Sequence, residues 1–344
     1  MSRKSVLMIV NRYPATYGHT TVIDNLCYEL KKKGYKVAIG AFHFDKKPPH
    51  DIEFLELKKW KLLINGIDSL EYDIIHIHQT LPSYFVFFKK SNKQKFFHFH
   101  GASNKLQEIN FKIFMKFYGD IFTKIISVSN SGITQINRMI GNVNSTVLYN
   151  GVNVRFFSDG IGSEYKKGVP ELLFVSALRK YKQTDVLLNL MPELLKKYPD
   201  AHLQVVGDGE EFEKLNSKIK LRQLEKHVEL AGRRDHDELK DRYASCDIYI
   251  SASTFEVCPV PTLEAMACGK PLVLYDIEPH QEIISNSKAG AIFSTREPQE
   301  IIEKITDVYN NRHKLETVAR EFAKENDWEE ICKKLIKIYE GDEV

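Results

Sequence analysis

The chain has 344 residues, 43% hydrophobic and 28% charged, an ordinary globular composition long enough for two cores. No run approaches the ~18 apolar residues of a membrane span. The five cysteines (Cys27, Cys246, Cys258, Cys268, Cys332) are odd in number and lack a C-x-x-C pair, which argues against a disulfide framework or zinc site and for a reducing cytoplasm. The net charge of +3 conceals a split. Residues 1–150 carry 21 Lys+Arg and 11 Asp+Glu, and the remainder 28 and 35. Such a split suggests two domains with different partners.

The first apolar stretch, in MSRKSVLMIVNRYP, is too short for a signal peptide and reads as a buried strand. TTVIDNLCYELKKKG follows at helical period, with Val22, Ile23, Leu26, Cys27 and Leu30 on one face and Gly34 as the stop. YKVAIGAF is a strand again, and YDIIHIH, KQKFFHFHG and KIISVSNS are three more, each of these three followed by a helix-like stretch. After the polar, glycine-bearing segment 153–169 the alternation restarts with ELLFVSA, AHLQVVG, VELAG, DIYISAS and PLVLYD. The chain closes on an amphipathic helix in DWEEICKKLIKIYE, with Ile331, Leu335 and Ile338 on one face. Strand–helix alternation means β-α-β units and parallel sheets. The expected organisation is α/β: a Rossmann-like domain over 1–152, a linker over 153–169, a second Rossmann-like domain over 170–326, and a C-terminal helix over 327–344. Ligands in such sheets sit beyond the carboxyl ends of the strands.

Those ends carry the candidate residues. NRYPATYGHTT places Gly18 in a turn before a helix, where backbone can approach an anion. DIIHIHQ and FFHFHG put His76 with His78, and His98 with His100, on common strand faces. A metal cluster there would lack carboxylates or cysteines at ligand spacing, so partly buried histidines filling the sheet ends is the plainer reading. His100 differs, because Gly101 follows it at a strand end where a side chain can face a ligand. In ALRKYKQTDVLL, Arg179, Lys180 and Lys182 precede a helix, as a solvated loop or as a diphosphate clamp. VVGDGEE adds Gly207 and Gly209, a weak signal alone.

The most informative stretch is STFEVCPVPTLEAMACGKP, residues 253–271. Its pattern predicts a loop holding Glu256 and then a short helix, with Pro261 in the first helical position, Glu264 in the first turn and Gly269 at the end. The amides of Cys258, Val260 and Thr262 are expected to be free, whereas Pro259 and Pro261 have none. Amides and a helix dipole suit a phosphate, and carboxylates on either side suit hydroxyls. A nucleotide sugar combines these groups.

The same stretch resembles the signature of the family 4 retaining glycosyltransferases, two-domain enzymes of the GT-B fold. Their pattern is a Glu, seven residues, then a Glu opening EAMACG-P. The YGH turn, DIIHIH, FHG, SVSNS, LYNGVN, SALRKYK, VVGDGEE, VELAGRRDHDEL, CDIYISAS and the DWEE helix also fall where that family has counterparts. The resemblance implies that the C-terminal helix crosses back to the first domain. It also implies that Gly18 faces the donor, that His100 contacts the transferred sugar and that Lys182 pairs with the diphosphate. Glu256 would hold sugar hydroxyls, Glu264 the ribose diol, and backbone around Arg233 would border the base. Three positions depart from the pattern. His19 stands where a second glycine is usual. Ala177 stands where an arginine is usual, with Arg179 as candidate substitute. Val257 and Cys258 follow the first Glu in place of a glycine and an aromatic.

The implied activity is retaining transfer from a nucleotide-diphosphate sugar to a glycan or lipid-linked acceptor, in the cytoplasm, with no metal, no cofactor and no nucleic acid partner. A nucleotide-sugar 2-epimerase and a catalytically silent nucleotide-sugar-binding subunit are the alternatives. The basic first domain, with lysine runs at 31–33, 58–61 and 89–95 and the aromatic Phe111, Phe114, Phe117 and Phe122 among lysines, suggests an anionic membrane surface as a further partner. Aromatics filling a core and lysines on a solvated face are the plainer alternative.

Overall fold

The computed structural model describes residues 4–15, 19–80, 84 and 92–342. The chain divides into two compact units, Met1–Gly151 with Trp328–Val344, and Val152–Asp327. Among the described residues no helix is long and apolar enough to cross a membrane.

The first unit is built on β1 (Ser5–Tyr13), β2 (Lys36–Phe44), β3 (Glu53–Glu56), β4 (Ile74–Ile77), β5 (Gln94–Phe99), β6 (Lys124–Ser127) and β7 (Ser145–Val147). All pair in parallel, in the order β3-β2-β1-β4-β5-β6-β7. The central strands are covered on both faces, which is why Val6–Val10 reads as an unbroken apolar run and Ile74–Ile77 is buried throughout, His76 included. Two edge strands, β3 and β7, are not predicted from the sequence. They are three or four residues long and half-exposed or more, so neither shows an apolar run.

One face of this sheet is covered by the helix His19–Lys32 and the C-terminal helix Trp328–Glu340. The periodic residues of both are buried in one cluster, Val22, Ile23, Leu26, Cys27 and Leu30 with Ile331, Leu335 and Ile338. Each such side chain contributes on the order of 1.5–3 kcal/mol of burial. The Lys33 ammonium meets the Glu329 carboxylate at 2.7 Å. The other face is covered by the helices Lys59–Asn65, Lys105–Tyr118 and Asn130–Ile140, through Leu62, Phe111, Phe114 and Ile136.

The second unit holds β8 (Glu171–Val175), β9 (His202–Val206), β10 (Val228–Gly232), β11 (Ile248–Ser251), β12 (Leu272–Tyr275) and β13 (Gly290–Phe293), parallel in the order β10-β9-β8-β11-β12-β13. β13 is again an edge strand with one fully buried residue, and the sequence does not announce it. Segment 153–169 is not a free linker. It forms the helix Val154–Ser158, whose Phe157 is buried edge-on against the Tyr243 ring. Gly160 lies so close to the Lys240 carbonyl that a Cβ would stand 2.6 Å from it. The polar composition hid the Phe156–Phe157 pair that ties the segment down. In both sheets strand order reverses beside a central strand, between β1 and β4 and between β8 and β11, the point where open α/β sheets bind ligands.

Candidate functional site

At the β1/β4 switch point the first unit has a cavity of about 280 Å³, bordered by Asn11, His19, His78, Gln79, Thr80 and His100. Ile77 pairs with Phe97, so His78 comes level with His98 on one sheet face. The four strand histidines stack, with ring centroids 4.6 Å apart for His76–His78, 5.0 Å for His78–His98 and 4.5 Å for His98–His100. His19, in the position where a glycine was expected, adds a fifth ring 4.3 Å from His100. Gly101 then turns the chain at φ +94°, a conformation suited to glycine.

Burial without a counter-charge keeps this ladder neutral. It lowers His19 to about 4 and His76 to about 3, and holds His78, His98 and His100 well below the usual value, with neighbouring imidazoles adding to the effect. Hydrogen bonding fixes the tautomers. A thioether sulfur only accepts, so the His78 Nε2 at 3.4 Å from Met8 Sδ bears the proton. His78 Nδ1 then accepts from His100 Nε2–H at 3.0 Å, leaving the His100 Nδ1 as a lone-pair acceptor. His76 Nδ1 shares a 2.6 Å bond with the Tyr339 hydroxyl of the C-terminal helix.

The ring nitrogens of His76, His78 and His98 lie within 4.8 Å of one another. Their planes differ by only 15° to 30°. In-plane lone pairs of stacked rings run side by side and do not converge on one ion as tetrahedral coordination requires. A stacked ladder is what this geometry makes.

In the second unit, the loops after β8 and β11 clasp each other. The Thr254 N–H and hydroxyl both donate to the Tyr181 carbonyl, at 2.9 and 3.0 Å, and the Tyr181 and Phe255 rings meet edge-on. This clasp brings Lys182 Nζ to 2.5 Å from Glu256 Oε1, with each side chain only 14% exposed. The pairing of these two candidates is not readable from a 74-residue separation. Arg179 is half-buried in the same loop, its N–H bonded to the Ala177 carbonyl at 2.8 Å. Arg233 is exposed beyond the edge strand β10. Gly18 lies outside the described residues.

The helix differs from its expected register. It runs Val260–Ala267 with Pro259 as N-cap, so Pro261 is its second residue and Glu264 lies in the second turn. Thr262 N–H is not free, since it donates to the Pro259 carbonyl at 3.1 Å. With prolines at two of the first positions, the Val260 amide is the one N–H of the first turn without an intrahelical acceptor. Glu264 is buried and accepts from the Tyr243 hydroxyl at 2.8 Å. Burial raises its pKa to about 7, against the opposing pull of that hydrogen bond. Gly207 has a packing role. A Cβ there would fall 1.8 Å from the Ser176 carbonyl oxygen, so this turn is glycine because the β8 loop crosses it.

One residue of this site escapes the sequence reading. His280, on the helix Glu278–Ser287 after β12, is buried. Its Nδ1 donates to the Tyr275 carbonyl at 2.7 Å, which leaves Nε2 as the lone-pair nitrogen, buried and without a protein partner. Burial lowers its pKa, Glu256 pushes it back up and Lys182 pushes it down, so the ion pair is near enough to act on it. Its position just beyond a strand's carboxyl end was the available signal.

Two family models match the chain, Glycosyltransferase Family 4 over residues 17–156 and Glycosyl transferases group 1 over residues 162–326. The chain is a group 1, family 4 glycosyltransferase. It is 26% identical over 356 residues to an uncharacterized glycosyltransferase of Methanocaldococcus jannaschii, covering 97% of each chain. Solved structures agree on the GT-B fold. A glycosyltransferase from Rickettsia africae superposes with TM-score 0.82 at 21% identity, covering 99% of both chains. Anabaena HepE in complex with UDP gives 0.79 at 18% identity, covering 98% of this chain and all of that one.

Proposed function

We propose that this glycosyltransferase moves a sugar, with retention, from a nucleotide-diphosphate sugar to a glycan or lipid-linked acceptor. The observation that carries the reading is the Lys182–Glu256 pair at the second sheet's switch point, with buried Glu264 in the helix that follows the Glu256 loop. A cation to meet a diphosphate, and carboxylates to meet hydroxyls on either side of it, suit a nucleotide sugar. HepE, which shares the fold, is solved with UDP.

Lys182 takes the diphosphate, with Arg179 and the amides of Cys258 and Val260 beside it. Glu256 and the His280 lone pair accept from hydroxyls of the transferred sugar, and Glu264 from the ribose diol. His100 serves the transfer step through its Nδ1 acceptor. The bond from the sugar's anomeric carbon to the diphosphate oxygen breaks, a bond from that carbon to the acceptor oxygen forms on the same face, and the acceptor's proton passes to the leaving diphosphate. Lys182 stabilises the charge that develops there.

A thermal-shift screen with UDP, GDP, ADP and their sugars tests this. One nucleoside diphosphate should stabilise the protein, by about 2.7 kcal/mol at a hundredfold excess over Kd, and should do so in chelator. A protein indifferent to all three would overturn the reading.

A further inference from the structure

The helix Lys105–Tyr118 is apolar on two opposite sides. Phe111, Phe114 and Met115 fill the core beneath it. Its outward face consists of Lys105, Leu106, Ile109, Lys112, Ile113, Lys116 and Phe117. Leu106 is 76% and Phe117 71% exposed, and Ile109 and Ile113 are exposed between them. Spacings of three and four residues place these four in one ridge, with the lysines in a ridge alongside. Core packing does not account for this second apolar face, because the inward one already fills the space. Glu108, the helix's single acid, is held off by Arg138 at 2.6 Å.

The helix Lys59–Asn65 repeats the combination. Trp60 is 58% and Ile64 61% exposed, among exposed Lys58, Lys59 and Lys61. Its buried Leu62 joins the core cluster of Phe111 and Phe114, so both helices cover the same sheet face and turn their outer sides away from it. Lys59 lies over the Phe42 ring and Lys61 over the Trp60 ring, and the described lysines of the other basic runs are engaged as well. Lys31 donates to the His50 and Asp51 carbonyls, Lys32 and Lys33 pair with Glu29 and Glu329, and Lys93 and Lys95 bond to backbone. Lys89 and Lys90 lie outside the described residues. Phe111 and Phe114, expected at a lipid surface, are core residues, and Phe122 is half-buried against Phe97.

We propose that these two outward helix faces dock the protein on an anionic lipid bilayer. The acyl boundary takes the Leu, Ile, Phe and Trp side chains while the lysines reach lipid phosphates. The unit they belong to carries 24 Lys+Arg against 16 Asp+Glu, and the other 25 against 30, so the unit with the exposed apolar ridges is also the basic one. The proposal rests on the glycosyl-transfer reading only in giving the docked enzyme a lipid-linked acceptor.

Co-sedimentation of the full chain with vesicles of phosphatidylcholine, with and without phosphatidylglycerol, tests it. Binding should require phosphatidylglycerol and fall as salt rises. Replacing Lys105, Lys112 and Lys116 by Glu should weaken it at least fivefold per position, the value of one surface lysine. I113E/F117E should abolish binding at matched salt while leaving Tm and the nucleotide thermal shift unchanged. Failure to bind phosphatidylglycerol vesicles at low salt would overturn the proposal. So would variants that bind lipid like the parent, or that instead convert a dimer to a monomer, in which case a second copy covers the face. Nucleotide stabilisation without vesicle binding sinks the docking alone; vesicle binding without nucleotide stabilisation sinks the function alone.

Discussion

The β1/β4 end of the first sheet and the β8/β11 end of the second occupy the same topological place in their units, yet they are equipped in opposite ways. At the first, five stacked histidines lie near a cavity and burial keeps every one of them uncharged. At the second, an ion pair is held between two clasped loops, and a buried carboxyl sits at its titration point near neutrality. A neutral, acceptor-rich wall suits hydroxyl groups; a cation beside carboxylates suits a diphosphate flanked by diols. The contrast teaches that doubly wound topology selects where a ligand binds, while the residues placed just after each strand select its charge.

Removing Glu256 is the harshest way to break the comparison. Glu256 holds the Lys182 ammonium, so in the proposed reading a donor diphosphate has to compete with it for that cation. Glu256→Ala should therefore leave nucleoside diphosphate affinity unchanged or tighter, while turnover falls roughly 10²–10³-fold, the scale for losing one preorganised polar group. Calorimetric titration beside steady-state kinetics separates the two. Loss of diphosphate affinity equal to that of Lys182→Ala would contradict the competition. Adding Lys182→Ala to Glu256→Ala should cost less than the two single losses combined, since the residues touch.

Glu264 sharpens the comparison through pH. Burial raises its pKa to about 7 in the fold, above an ordinary value of 4.5. The folded state thus holds a proton that the unfolded chain has released, and stability falls as pH rises from about 4.5 to 7. Ribose hydroxyls favour the ionised acceptor, so donor affinity should move the other way, tightening roughly tenfold per unit up to pH 7 and levelling above it. A nucleotide sugar is the right probe, because its diphosphate does not titrate in this range. Glu264→Gln should flatten the profile and weaken binding by about 1.5–3 kcal/mol. An unmodified protein with constant donor Kd from pH 5.5 to 8 would remove Glu264 from the diol. The histidine ladder should contribute no limb near 6.5, since its members are already neutral.

The long features of the molecule are legible in the sequence, and the close ones are not. Among the described residues, apolar runs announce nine strands covered by packing and the edge strand β10, and the 3.6-residue period places Val22 to Leu30 and Ile331 to Ile338 on their buried faces, because burial is what writes those patterns. β3, β7 and β13 are written by hydrogen bonding at an edge, which demands little of side chains. Glu256 and Glu264 stand out through their motif. Their partners Lys182 and Tyr243 are set by loop conformation and helix packing, which no local pattern encodes. The prolines at 259 and 261 signal a helix start, but the register shifts because Pro259 caps rather than precedes it.

His280 offers the finest test, since no motif marked it. Its Nδ1–H is committed to the Tyr275 carbonyl, so only the Nε2 lone pair can meet a donor hydroxyl. Asn reproduces the Nδ1 position and lacks the other nitrogen. His280→Asn should keep Tm and nucleoside diphosphate affinity while kcat/KM falls about three- to tenfold, the range for one neutral hydrogen bond. The unmodified protein should lose a similar factor on donors deoxygenated, or fluorinated, at the contacted hydroxyl. The variant should lose nothing further on that donor, because the interaction is already gone. His280→Gln makes the converse change, giving up the bond to Tyr275 while offering an acceptor near Nε2, and should cost stability more than specificity. If His280→Asn discriminates the deoxy donor as sharply as the parent does, the buried lone pair serves packing alone, and the acceptors for the sugar are the carboxylates already named.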